Sequence, residues 1–316
     1  MYWKARDMSF NLIKRRRFLL MTLGKTAKWV SALSLSLLLA ACGSGDESAD
    51  SDSGSDAGSG SEEIHVITRE DGSGTRGAFV EIAGIEDDNG DDIITQAATV
   101  QNGTSAVMQG VAGDELAIGY ISLGSLDDSV KGIEVDGAAP TAEAIEAGDY
   151  QVARNFNVTY GSELSGAAAD FYDFFFSAQA QDIAEEQGYV KVATDAPEYE
   201  PAGLDGTISV VGSTSVEPLM AAFAEAYAEL NPDVQIDITA PGSGAGITAA
   251  IDGSADIGMA SRELDDEEAS QVAGVDAIAV DGIAVIVNNE NPVEGLTLDE
   301  VQQVYLGDLT SWADVQ

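Results

Sequence analysis

Four times along this 316-residue chain a short apolar run ends in Gly with Ser or Thr and opens into a helical pattern. Ile208-Ser209-Val210-Val211 leads into Gly212-Ser213-Thr214-Ser215. Behind it Val216, Leu219, Met220, Phe223, Ala224, Tyr227 and Leu230 recur at the spacing of an amphipathic helix. Pro218 falls in that helix's first turn, where a missing N–H costs nothing. Val234 to Ile238 alternates as a strand and runs into Pro241-Gly242-Ser243-Gly244-Ala245-Gly246, then Ile247, Ala250 and Ile251. Ile64 to Thr68 precedes Arg69-Glu70-Asp71-Gly72-Ser73-Gly74-Thr75-Arg76, and Ala97 to Val100 precedes Asn102-Gly103-Thr104-Ser105. Strand, turn, helix is the unit of an open α/β sheet, in which ligands bind where such turns gather at strand ends.

The first turn of a helix offers unpaired N–H groups at the positive end of its dipole, which suits an anion. Ser and Thr are also ordinary N-caps, so one such turn alone says little. None of the four fits the GxxxxGK[ST] phosphate loop, so nucleotide hydrolysis is not implied. The scarce bases sharpen the reading. Beyond residue 41 only six Lys+Arg remain, and Arg69, Arg76 and Arg262 lie in or beside these segments. Guanidinium groups at anion-shaped turns point to a bound oxyanion.

The balance of 14 Lys+Arg to 55 Asp+Glu, a net charge of -41, excludes a nucleic-acid binder, which needs a basic face. One cysteine, Cys42, and one histidine, His65, leave no internal disulfide and no Cys- or His-rich metal site. Residues 1–41 carry eight bases and one acid and end in an uncharged run, Trp29 to Ala41, the form of an export signal. Leu39-Ala40-Ala41-Cys42 is similar to the bacterial lipobox, so Cys42 is expected to be lipidated. Arg15-Arg16-Arg17 fits twin-arginine export, and a start at Met21 fits general secretion; both remain open. Residues 42–61 then form a lipidated Cys and an acidic Gly/Ser tether that cannot repay its ordering entropy. Without residues 1–41, 6 Lys+Arg face 54 Asp+Glu, a net of -48 spread along the chain. A solubilising surface explains that spread.

At this point the motifs are specific. GSTSV, PGSGAGI, ADIGMASR (Ala255–Arg262) and LTSWADV (Leu309–Val315), across Ile208 to Gln316, resemble the first half of the phosphate-binding lipoproteins of phosphate ABC transporters, the PstS family. Ile64 to about Lys191, beginning ITREDGSGTRGAFVE, resembles the second half. The order is reversed, so the resemblance implies a circular permutant in which residues 192–207 join the family's termini. It implies a two-lobed α/β periplasmic-binding-protein fold with a hinge, lobe II from 62–149 plus 284–316 and lobe I from 150–283.

The resemblance also implies the ligands of a phosphate ion held between the lobes. Ser213, Thr214 and Ser215 would donate at one helix start and Ser243 at another. Arg69, Ser73, Gly74 and Thr75 would clamp from the other lobe, with Ser261 beside them. Arg76 is a weaker candidate, and Arg262 is expected to pair with a carboxylate. Asp256 would accept a proton from hydrogen phosphate and so reject sulfate. The expected partners are inorganic phosphate, a membrane ABC permease and the membrane itself through Cys42, with no nucleic acid; the protein is expected to be a monomer without metal or cofactor and not an enzyme. Rival readings are the same fold binding sulfate, molybdate or tungstate, and a sensor or scavenger of phosphate. A phosphatase would need a GxSxG elbow or a metal cluster, and neither is evident. His65 reads as structural, Phe171, Tyr172, Phe174, Phe175 and Phe176 as a buried helix face, and the sequons at Asn102 and Asn157 as surface turns.

Overall fold

The computed structural model describes residues 62–87 and 89–315. The expected export signal, the expected lipidation site Cys42 and the expected tether lie outside the described residues. In chain order the regular elements are β1 (His65–Arg69), α1 (Gly74–Ala83), β2 (Thr99–Gln101), α2 (Thr104–Ala112), β3 (Ala117–Ser122), β4 (Lys131–Gly132), β5 (Glu134–Val135) and α3 (Ala142–Ala147). They continue with β6 (Ala153–Tyr160), α4 (Gly166–Phe175), α5 (Ala178–Glu186), β7 (Gly206–Gly212), α6 (Glu217–Leu230), β8 (Val234–Thr239) and α7 (Ser243–Asp252). The last are β9 (Ile257–Ala260), α8 (Asp266–Ala269), β10 (Gly274–Val287), β11 (Gly295–Leu296) and α9 (Leu298–Leu306).

All four expected units form: β1 to α1, β2 to α2, β7 to α6 and β8 to α7. In α6 the apolar stripe buries Leu219, Met220, Phe223 and Tyr227, and Pro218 sits in the first turn. That stripe, not helix propensity, holds a helix of this length in place. In α4 the buried face is Phe171, Phe174 and Phe175, as the pattern predicts, whereas Tyr172 and Phe176, expected on the same face, are only half-buried. The helix α9 carries a reciprocal cap between Thr297 and Glu300 and ends on Gly307 with φ 82°.

The main sheet runs β2-β1-β3-β10-β6-β9-β7-β8, with β4 also on β10. β10 is the spine. Its first part, Gly274 to Gly282, pairs antiparallel with β6, and its last, Ile283 to Val287, with β3. The core divides in the same way. One apolar cluster draws on residues from Ile64 to Val152 and from Ile283 to Tyr305, with a smaller one on the same segments around Ile67 and Val107. The other runs from Phe156 to Ala279. The chain therefore passes from one core to the other between Val152 and Phe156, and again between Ala279 and Ile283.

Residues 192–207 are tied down along α4 to α6. Ala178 N–H donates to the Pro197 carbonyl at 2.8 Å, and Tyr199 N–H to Gln179 Oε1 at 2.9 Å. The Tyr199 and Tyr227 hydroxyls both donate to Asp170 Oδ2. Of the two sequons, Asn102 lies exposed in the bend before α2 as expected, but the second is not a surface turn: Asn157 and Thr159 are both buried. Asn157 and Thr159 sit in the middle of a paired strand, which a three-residue sequence match cannot reveal.

Candidate functional site

The four turns meet. From one core come the starts of α1 and α2, from the other the starts of α6 and α7, and their side chains touch across the gap. Thr75 Oγ1 lies 2.8 Å from Ser215 Oγ. Thr104 Oγ1 lies 3.4 Å from both Thr214 Oγ1 and Ser215 Oγ. Ser213 Oγ donates to Ser261 Oγ at 2.8 Å, Ser261 Oγ is 3.4 Å from Ser243 Oγ, and Ser261 N–H donates to Ser243 Oγ at 3.1 Å. Gly244 N–H reaches across to the Gly72 carbonyl at 3.1 Å. Ser73, Thr75, Thr104, Ser213, Ser215, Ser243 and Ser261 are all buried. Seven buried hydroxyls, six at the four helix starts and Ser261 just past β9, are unusual in an interior, where polar groups are costly unless matched.

Local sequence explains the convergence. Ser73 caps α1 by accepting from Arg76 N–H at 3.3 Å, and Ser213 accepts from Ser215 N–H at 3.1 Å and Val216 N–H at 3.4 Å. Gly103 and Gly242 precede α2 and α7 with φ 85° and 130°, and neither helix has a side-chain cap. No side chain closes either helix end, although one first-turn amide of α7, Gly244 N–H, meets the Gly72 carbonyl. Each end contributes the equivalent of roughly half a positive charge. Gly74 permits the closest approach: a Cβ there would lie 2.3 Å from Ser243 Oγ and 2.7 Å from Ser261 Oγ.

Arg69 is the charge at this site. It is 1% exposed. Its Nε and Nη2 donate to the two Glu70 oxygens at 2.8 Å each, and Nη2 also to Thr214 Oγ1 at 2.9 Å. Nη1 is buried with no partner. The backbone is held from below: Arg69 N–H donates to Tyr120 Oη at 3.3 Å, and Tyr120 stacks on Phe79 with ring centres 4.0 Å apart. Glu70 also accepts from Gly103 N–H at 3.0 Å, so it joins the end of β1 to the start of α2. Burial pushes the Glu70 carboxyl up, but the bonds from Arg69 and Gly103 outweigh it and hold it below its ordinary value.

Three candidates lie elsewhere. Arg76 bonds Asp92, Asp71 and the Arg69 carbonyl. Arg262 forms a two-pronged pair with Glu268, as expected of it. Asp256 is the correction. It is exposed, precedes β9, and accepts from Ser209 N–H and Oγ at 2.8 and 2.7 Å, whereas Ser261 follows the other end of that strand. Five residues of extended chain separate the two by about 16 Å. Asp256 closes a strand edge and faces no cluster hydroxyl. Thr104 is the residue the candidate set lacks; its turn carries the same Gly-Thr-Ser signal, but its position on the second helix start shows only in the fold. His65 pairs with Asp114 on the exposed side of β1. Among the described residues no group of three or more His, Cys, Asp or Glu could hold a metal ion.

Comparison with known proteins bears on this cluster. A family model described as PBP superfamily domain matches residues 25–179 and 197–316. The phosphate-binding protein PstS 2 of Streptococcus pneumoniae is 47% identical over 259 residues, which is 81% of this chain and 89% of that protein. Its counterpart PstS 2 in Streptococcus agalactiae is 44% identical over 257 residues, 80% of this chain and 87% of the other. A crystal structure of a phosphate ABC transporter, phosphate-binding protein from Streptococcus pneumoniae superposes with a TM-score of 0.66 at 46% identity, covering 80% of this chain and 100% of that one.

Proposed function

Since the chain belongs to the PBP superfamily and, within it, to the PstS phosphate-binding proteins, we propose that it captures inorganic phosphate in the cleft between its two cores and delivers it to an ABC permease. The observation that carries this is the buried hydroxyl cluster with the unpartnered Arg69 Nη1 beside it. A tetrahedral oxyanion placed there replaces neutral hydroxyl pairs with shorter, stronger charge-assisted bonds. It accepts from Arg69 and Thr75 on one side and from Ser213, Thr214, Ser215 and Ser243 on the other, with Ser73, Gly74 and Ser261 bordering them. Thr104 adds a donor from α2.

The ligand acts as a bridge. Lobe II would comprise 62–149 plus 284–316 and lobe I 150–283, a division supported by the two apolar cores. An ion that touches both lobes favours the closed form by its differential affinity for it. The cluster supports binding and not turnover: its hydroxyls face no histidine, and both Glu70 oxygens are occupied, so no serine has an activating base. The reading places the protein outside the cytoplasm as a monomer, anchored through Cys42. Among the described residues no helix is long and apolar enough to cross a membrane. The match through 89% of PstS 2 of S. pneumoniae supports a segment order shared within this branch of the family.

Calorimetric titration of the purified protein tests the function. Phosphate should bind, and Arg69→Ala should weaken it by about 10- to 100-fold, the ~1.5–3 kcal/mol of a hydrogen bond to a charged group. Absence of phosphate heat from the wild type, or wild-type affinity in Arg69→Ala, would overturn the assignment.

A further inference from the structure

A second buried guanidinium stands near the cluster with no role in it so far. Arg154, the second residue of β6, is 7% exposed, and its Nη2 donates to Asp281 Oδ2 at 3.0 Å. Asp281 Oδ1 accepts from Ser122 Oγ at 2.9 Å. The Arg154 Nε and Nη1 atoms are buried with no partner, and the Phe156 ring centre lies 5.5 Å from the guanidinium carbon. Burial pushes the Asp281 carboxyl up to about 6 and lowers Arg154, in each case against the attraction of the partner. A pair so desolvated, with two donor atoms orphaned, is a poor stabiliser of a fold.

Register shows where it points. β6 and β9 pair antiparallel at Asn157–Ala260, and one step further brings Phe156 opposite Ser261. Residues opposite one another share a face, as do residues two apart on a strand, so Arg154 projects from the same face as Ser261. On the other flank Asp281 precedes Ile283, which pairs with Ser122 at the end of β3, and the next strand is β1, ending in Arg69. Arg154 therefore lies at the back of the cleft between Ser261 and Arg69, at both crossings between the cores. The charge of Arg69 is one of the influences that lower Arg154. Arg69 Nη1 and Arg154 Nε and Nη1 are three buried donor atoms on two mutually repelling cations, each with its one carboxylate already engaged. A small multiply charged anion is what satisfies both.

We propose that Arg154 supplies a second guanidinium to the bound anion from the hinge side of the cleft, with Asp281 and Ser122 fixing its orientation. The proposal rests on the phosphate reading of the site. It also ties the ion to β6 and β10, the strands on which the two cores join.

The test titrates the full chain with inorganic phosphate, as wild type, as the double variant Arg154→Met with Asp281→Asn, and as Arg154→Lys. Removing both charges together avoids leaving Asp281 buried and alone, and thermal unfolding reports whether the variant is folded. The folded double variant should lose tenfold or more in phosphate affinity. Arg154→Lys keeps the charge without the guanidinium fork and should fall between it and the wild type. A folded double variant that binds phosphate like the wild type would overturn the proposal and leave the pair structural. Should the double variant not fold, wild-type affinity in Arg154→Lys would overturn it as well. No phosphate heat from the wild type would overturn the site reading and this proposal together, whereas normal wild-type heat with unaffected variants overturns this proposal alone.

Discussion

Gly74 shows how one hydrogen atom in place of a methyl decides what the cleft can do. Its position starts α1 with no need for positive φ, so Ala would fit the helix itself. What Ala would meet is the other half of the molecule, with Ser243 Oγ 2.3 Å and Ser261 Oγ 2.7 Å from the added carbon. Gly74→Ala is therefore expected to leave the unfolding midpoint within a few degrees of wild type while weakening phosphate binding tenfold or more, read by thermal scanning and calorimetry on one preparation. A large loss of midpoint with intact affinity would contradict the closed-cleft geometry. Asp256 gives the opposite expectation. Since it bonds Ser209 at the far end of β9, Asp256→Asn should leave the ratio of phosphate to sulfate affinity unchanged, and a collapse of that ratio would return the residue to the site. Serine and threonine at Gly-rich turns were legible in the sequence because their chemistry and their local geometry coincide. Asp256 was not, because residue type and proximity along the chain are silent on which end of a strand faces the ligand.

Among elements, the strand–turn–helix units were readable because an amphipathic period of 3.6 behind a Gly/Ser turn has few other outcomes. The partners of each turn were not. Glu70 illustrates the gap: it follows Arg69 directly, yet its second role is to hold the amide of Gly103, 33 residues on, and so to fix α2 against β1. Its folded-state carboxyl is held below the ordinary value, so its contribution to stability is present above the ordinary carboxylate range and is lost as pH falls through the lower, folded-state value. Glu70→Gln should accordingly flatten the acid side of a plot of unfolding midpoint against pH between about 5 and 3, the region around the usual glutamate value. An acid limb as steep as that of the wild type would show that Glu70 does not link the two elements.

For the whole molecule, the fold class was visible in the motifs, and the family comparisons agree with it. The buried pair at the crossing strands was not visible, because Arg154 and Asp281 are separated by 127 residues and neither sits in a recognisable turn. A chain of net charge -41 that traps an anion must do so by local means, with amides, hydroxyls and guanidiniums outweighing a distant and screened surface. A crystal structure of the protein grown with phosphate tests this most directly. The account predicts one ion between the starts of α1, α2, α6 and α7, with oxygens in hydrogen-bond range of Arg69, Thr75, Ser215 and Ser243. An ion seated elsewhere, with those hydroxyls still bonded to one another, would contradict it.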